Sequence, residues 1–374
     1  MNILINALSA RAGGGQTYLN NILKDIPDSS LKVFILSSKV FAVPYHPQIQ
    51  IIEAPDYCEN QILRAVWEVF ALPSVIRKYK IDCLFCPGGL IPIVRPKNCK
   101  IVVMFRNMLP FWSGLKEGFP FGLSRFRLQL LGRLFQRSMR QADAVIFISQ
   151  TAARFVTKEL KLAVKEYTVI PHGVDEQFMT AGGSDVPWPS QVPEGVKYLL
   201  YVSILQPYKH QLEVVRGYKL WLDSSENKEV KLILAGPNNT DYGFKVKEEV
   251  SKLGIDSNVM FLGKVPHAEL SHLYAHAIAN IFASSCENCP NILLEKIASG
   301  RPLACLDVEV NREFGGIHVT LFSLIISSFV EALRSVISKE QNSGEHNDRI
   351  SFASLNYSWL GTTALTWRFI KNTF

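Results

Sequence analysis

Short runs of aliphatic and β-branched residues alternate along this chain with longer stretches whose apolar positions recur every three or four residues. Strands are predicted near 2–7, 31–36, 82–85, 99–105, 144–149 and 167–170, with helices near 16–26, 60–79, 123–141 and 150–160. The Gly- and Pro-rich stretch Thr180–Gly195 interrupts the pattern as a linker would. A second series follows, with strands at 198–203, 230–235, 258–262, 279–283 and 302–305 and helices at 210–222, 244–253, 267–277 and 291–299. Such alternation builds mainly parallel sheets, because a parallel pair needs a crossover long enough to hold a helix. The prediction is an α/β chain of two doubly wound, Rossmann-like domains: 1–178, a linker at 179–196, and 197–355. A last helix, 356–374, is expected to pack back on the first domain, and the polar stretch Lys339–Asp348 to be an exposed loop or frayed helix end. Open α/β sheets bind ligands beyond the carboxyl ends of their strands, so a gap between the domains is the expected place for a site.

Composition narrows the class. A chain of 374 residues with 48% hydrophobic and 20% charged residues is ordinary globular material for two domains, without repeats or low-complexity blocks. Met1–Ser9 lacks a basic leader and reads as a first strand, and no segment offers ~20 unbroken apolar residues. A cytosolic protein, soluble or held at the inner face of a membrane, is the expectation. Seven scattered cysteines fit free thiols in a reducing compartment. Cys83 and Cys86 fall in a predicted strand, where residues three apart point to opposite faces, which argues against a thiolate metal site. Residues 1–180 hold 22 Lys and Arg against 13 Asp and Glu, although the whole chain carries only +7, so the first half is the one suited to an anionic partner.

The chemistry concentrates in Phe282–Pro302, where a strand ends, a polar loop follows and a helix starts near Asn291. Open backbone N–H groups and the positive dipole end make a helix start suitable for an anion or sugar hydroxyls. Glu287 lies in the loop and Glu295 inside the helix. Eight positions on one helix would set them about 80° apart, so the loop must supply any convergence. Near the N-terminus, Gly13-Gly14-Gly15 follows the first strand and opens a helix, where glycine lets a ligand approach the backbone. That loop lacks the Gly-Lys-Ser/Thr of a P-loop and the full dinucleotide fingerprint, which disfavours ATPase and dehydrogenase readings.

These residues resemble the signature of the retaining glycosyltransferase family 4, or glycosyl transferases group 1: Glu-x7-Glu running on to Ala-x-Gly-x-Pro, here Glu287, Glu295, Ala298, Gly300 and Pro302. Asn311 and Glu313 are similar to the family's later Asn-Pro-Glu, Tyr201–Lys209 to its diphosphate loop, and Val169–Asp175 to its Ile-Pro-Asn-Gly-Val-Asp, so the likeness spans nearly the whole chain. It implies a GT-B fold, two Rossmann-like domains facing across a cleft, and a retaining transferase of the hexosyl type. Glu287 and Lys209 are the implied catalytic pair, Lys209 stabilising the charge that grows on the leaving diphosphate. Gly14, Gly15, Lys209, Val265, Asn291, Ile292 and Glu295 are the implied donor-binding set, with Glu295 on the ribose hydroxyls. Arg106 and Asn107 stand where many relatives carry His-Asp and are assigned to acceptor or phosphate. Neither metal nor resident cofactor is implied; a nucleotide diphosphate sugar is the co-substrate, and a glycan or lipid-linked saccharide the acceptor, as in polysaccharide or lipopolysaccharide assembly. The chain departs from the pattern at Ser203-Ile204, in place of Gly-Arg, and at Cys289-Pro290, which removes an N–H. A nucleotide-sugar 2-epimerase and a non-catalytic sugar-nucleotide or glycan binder are the alternatives.

In 123–141, a helical wheel sets Arg125, Arg133 and Arg140 in one arc and Leu123, Phe126, Leu130, Leu131 and Leu134 largely opposite. That pattern fits a core helix with a basic outer face, or a dock for an anionic membrane surface at roughly 1 kcal/mol per Lys or Arg. Nucleic acid is not expected, since no recognition motif is present.

Overall fold

In the computed structural model, residues 1–10, 13–38, 42–91, 98–119, 121–179, 186–338 and 343–373 are described; 180–185 of the expected linker and 339–342 of the polar stretch fall outside them. The apolar runs become strands covered on both faces, so that Ile3, Leu4 and Ile5 have no exposure at all, which is why they read as continuous and not as alternating. Two compact units result, one of Met1–Gly173 with Trp359–Phe374 and one of Val174–Ser358.

The first unit runs β1 (Asn2–Asn6), α1 (Gly14–Ile22), β2 (Lys32–Ser37), β3 (Ile49–Glu53), α2 (Gln61–Lys78), β4 (Cys83–Cys86) and β5 (Lys100–Phe105). It continues with α3 (Leu115–Gly118), α4 (Leu123–Gln141), β6 (Ala144–Phe147), α5 (Gln150–Arg154) and β7 (Tyr167–Val169). The second begins with α6 (Glu176–Met179), β8 (Tyr198–Val202), α7 (Gln211–Ser224), β9 (Lys231–Ala235), α8 (Asp241–Lys252), β10 (Val259–Gly263) and α9 (Leu270–His276). β11 (Ala279–Phe282), α10 (Asn291–Ala298), β12 (Leu303–Leu306), α11 (Glu309–Gly315), β13 (Thr320–Phe322), α12 (Ile326–Ser338) and α13 (Ser343–Asn356) complete it. The chain then returns to the first unit as α14 (Trp359–Asn372), where Trp367 Nε1 donates to Ile22 O at 2.9 Å and Tyr18 Oη lies 3.1 Å from Thr366 Oγ1.

Both sheets are parallel throughout, ordered β3-β2-β1-β4-β5-β6-β7 and β10-β9-β8-β11-β12-β13. The direction of winding reverses between β1 and β4 and again between β8 and β11, and loops leaving such neighbours diverge to leave a crevice. The edge strands β3 and β13 escaped the sequence reading. Their residues are mostly exposed or only partly buried, so neither shows the buried apolar run that marks the central strands.

One expectation is corrected, that for α4. Of the polar stretch expected as an exposed loop or frayed helix end, the part from Ser343 onward begins the helix α13. Its Arg349 is buried, giving Nη2 to Glu345 Oε2 at 2.6 Å and Nη1 to Gly300 O at 3.1 Å, contacts that polarity alone does not reveal. In α4 most of the named apolar residues do not face the core: Leu123 is 83% exposed, Phe126 62% and Leu130 45%, and they share the outer face with Arg127, Arg133 and Arg137, whereas Leu131 is half-buried against the core. The inner face is Gly132, Phe135, Ser138 and Met139. Phe135 meets Phe105 edge-on at 5.7 Å, and Gly132 admits Pro110 and Phe111, which fixes the helix's rotation and turns most of the leucines outward.

Candidate active site

The reversal point of the second sheet sets the loop after β8 beside the loop after β11. The first is pinned from behind: Leu205 N–H donates to Pro237 O at 3.0 Å, and Thr240 Oγ1, which caps α8, donates to Leu205 O at 2.8 Å. Gly236 is required here, since its φ is +148° and a Cβ would lie 2.1 Å from Ser203 O. The loop then winds through a 3-10 turn, Pro207–Lys209, whose last carbonyl accepts the Tyr201 hydroxyl at 2.6 Å.

That turn brings Lys209 against Glu287. Their ammonium and carboxylate form an ion pair, with side chains only 12% and 18% exposed. Ser285 N–H donates to Tyr208 O at 2.9 Å, so backbone and side chains both join the two loops. Desolvation strengthens an ion pair's field relative to one in open water. The loop's far end is fixed by Asn311, fully buried on α11, which donates to Ser284 O at 3.1 Å and Leu306 O at 2.9 Å.

Glu295 sits in a different setting. It is 6% exposed on α10, with Oε2 accepting from Tyr274 Oη at 3.3 Å and Oε1 3.1 Å from His267 Nε2. Burial raises the Glu295 pKa against the pull of His267, and the Glu295 carboxylate in turn raises that of His267. Ile292 and Asn291, both half-buried, form the first turn of α10, which has no side-chain cap because Pro290 occupies the cap position. Val265 is half-buried in the turn after β10, two positions before His267.

The sequence reading missed His267, which carries no local signature. It also missed Lys296, next to Glu295 and wholly buried, its Nζ donating to Ile281 O at 2.5 Å. Burial lowers the Lys296 pKa to about 7.

The remaining predicted residues lie in the first unit. Gly13, at φ +62°, precedes α1; Gly14 begins that helix, and a Cβ on Gly15 would lie 3.4 Å from Arg106 Nη1. The Arg106 guanidinium stands 5.7 Å from the Tyr18 ring centre, and that ring stacks on His172 at 5.4 Å. Gly14, Gly15 and Arg106 thus share one corner at the strand ends. Asn107 Oδ1 accepts from Leu109 N–H at 3.0 Å, which gives it a part in turning the chain. Cys83 and Cys86 are buried in β4, and among the described residues no three His, Cys, Asp or Glu side chains gather as metal ligands would.

Two family profiles match consecutive parts of the chain: Glycosyltransferase Family 4 over residues 12–178 and Glycosyl transferases group 1 over residues 185–352. Over 180 residues the chain is 26% identical to the O-antigen chain mannosyltransferase RfbU of Salmonella typhimurium, covering 48% of this chain and 46% of that protein. It spans about half the length of the curated relatives it matches. Sucrose-phosphate synthase from Thermosynechococcus elongatus superposes at a TM-score of 0.77 and 14% identity, over 100% of this chain and 98% of that one. Anabaena HepE in complex with UDP-glucose does so at 0.70 and 16%, over 100% of both chains. At such identities the structural likeness establishes the fold, two-domain GT-B.

Proposed function

We propose, from the premise that this chain belongs to the family 4, group 1 glycosyltransferases, that it moves a hexose with retention from a nucleoside diphosphate onto a glycan or lipid-linked saccharide. The observation that carries this reading is the half-buried Lys209–Glu287 pair at the winding reversal of the second sheet, where an open α/β sheet takes its ligand. A mannosyltransferase among the relatives and UDP-glucose in a structural neighbour support a hexose nucleotide as donor.

The chemistry follows from charge. As the bond from the anomeric carbon to the diphosphate breaks, negative charge grows on the leaving oxygen, and the fixed ammonium of Lys209 stabilises it. The Glu287 carboxylate orients the sugar through its hydroxyls, and Glu295 accepts the ribose diol. The acceptor oxygen attacks from the face the diphosphate leaves, and its proton passes to the departing phosphate oxygen, so no second nucleophile is needed. Arg106 serves the acceptor or the phosphates. Retention is tested by NMR of the product: an anomeric configuration equal to the donor's supports the reading, and its inversion refutes it.

The acceptor is met at the cytoplasmic face of an anionic membrane. No described helix is long and apolar enough to cross one. On α2, Ile62 is 74% exposed and Phe70 77%; on α4, Leu123 and Phe126 stand among the arginines, and Arg127 Nη2 donates to Gln61 Oε1 at 3.1 Å to join the two helices. A face that mixes apolar and basic groups suits a lipid interface better than water.

A further inference from the structure

Among the described residues, three that are not glycine have positive φ, and one of them, His210 at +53°, stands beside Lys209. A β-carbon is disfavoured in that region, and such a conformation persists where its surroundings over-determine it. Here both ring nitrogens face oxygen atoms. Nε2 lies 2.8 Å from Ser285 Oγ, and Nδ1 lies 3.7 Å from Glu213 Oε2, one turn into α7. Ser285 Oγ is also 3.3 Å from Tyr208 O and can donate to it while accepting from His210. His210 and Arg216 help hold Glu213 ionised, its pKa falling below the usual value although burial opposes this.

Residues 208–210 therefore grip residues 285–287 by three links: Tyr208 to the Ser285 backbone, Lys209 to the Glu287 carboxylate, and His210 to the Ser285 hydroxyl. We infer that His210 is a positioning residue: its ring, set beside Ser285 and Glu213 by the positive φ, fixes the loop that presents Glu287.

Glu213, one turn into α7, is a charged group facing the ring, and the cavity beside it is lined by Glu213 together with Phe322, Ser323, Leu324 and Ile326.

This inference rests on the catalytic reading of Glu287, so its test uses the folded chain as well as its turnover. Hydrogen exchange of the 284–287 segment is followed in the folded chain in wild type, His210→Asn and His210→Gly. Asn tolerates positive φ but lacks the imidazole, and Gly relieves the backbone while removing the link. In both variants protection of the segment is expected to fall about ten-fold below that of wild type. His210→Gly should melt no lower than wild type yet lose about ten-fold in kcat, with KM for the donor changed less than about three-fold because Lys209 is intact. Unchanged protection of the segment in both variants overturns the inference, whatever the turnover. A fully active Glu287→Gln enzyme would overturn instead the reading beneath it.

Discussion

Replacing Lys296 by Met should stabilise the protein, and do so most in acid. The amine is wholly buried, 5.0 Å from the Tyr201 ring centre and 5.3 Å from that of Phe282, with one carbonyl partner on β11. Burial takes its pKa from 10.5 to about 7. The unfolded chain stays protonated to about pH 10, whereas the folded protein gives up this proton from about pH 7 upward. Stability contributed by the neutral amine therefore grows as pH rises between those limits, and below about pH 7 the native state carries the whole penalty, roughly 5 kcal/mol. Met keeps the volume and removes the charge, at the loss of a hydrogen bond worth about 1 kcal/mol. A net gain of about 2–4 kcal/mol at about pH 6 should raise Tm by roughly 5–15 °C for a unit of this size. Calorimetric melts of Lys296→Met and wild type at about pH 6 and about pH 9 measure it, and the gap should narrow as pH rises. A variant that melts lower at about pH 6, or a gap independent of pH, refutes the reasoning.

Other expectations follow from single contacts. Gly236→Ala should cost about 3 kcal/mol or more by driving a β-carbon into the Ser203 carbonyl, visible as early loss of the second unit in a urea titration followed by hydrogen exchange; a change under about 0.5 kcal/mol contradicts the geometry. Glu295→Gln should raise KM for the nucleotide sugar about ten-fold and change kcat less than about three-fold, as expected of ribose binding; the opposite split places Glu295 in the chemical step. Phe70→Ser with Phe126→Ser should abolish flotation with vesicles containing anionic lipid while leaving turnover on a soluble acceptor unchanged. Undiminished flotation of the double variant removes the α2 and α4 face from the membrane account.

The doubly wound architecture was legible because central parallel strands are buried on both faces and leave unbroken apolar runs, as Leu84 to Cys86 and Ile101 to Phe105 do. Ile49–Glu53 has no buried residue and Thr320–Phe322 is three residues long with one buried, so neither leaves such a trace. Helix α4 was legible as a helix but not in its orientation, because a repeat of leucines does not say which of two apolar arcs Phe105 and Pro110 will claim. At the site, the resemblance to the family's motifs pointed to Glu287, Glu295 and Lys209, and the fold joins the first and last while holding Glu295 against His267 and Tyr274. His210, His267 and Lys296 were out of reach, since what distinguishes them is a backbone angle, a partner from a distant loop and burial, and none of these is written in neighbouring residues.

The central claim is that the carboxylate gripped by Lys209 governs transfer. Turnover of wild type and Glu287→Gln on a matched donor and acceptor, with circular dichroism and Tm showing both folded, tests it most directly. The account predicts a fall in kcat of about a hundred-fold or more, since the isosteric amide keeps the shape but loses the charge. A variant that turns over at close to the wild-type rate contradicts it.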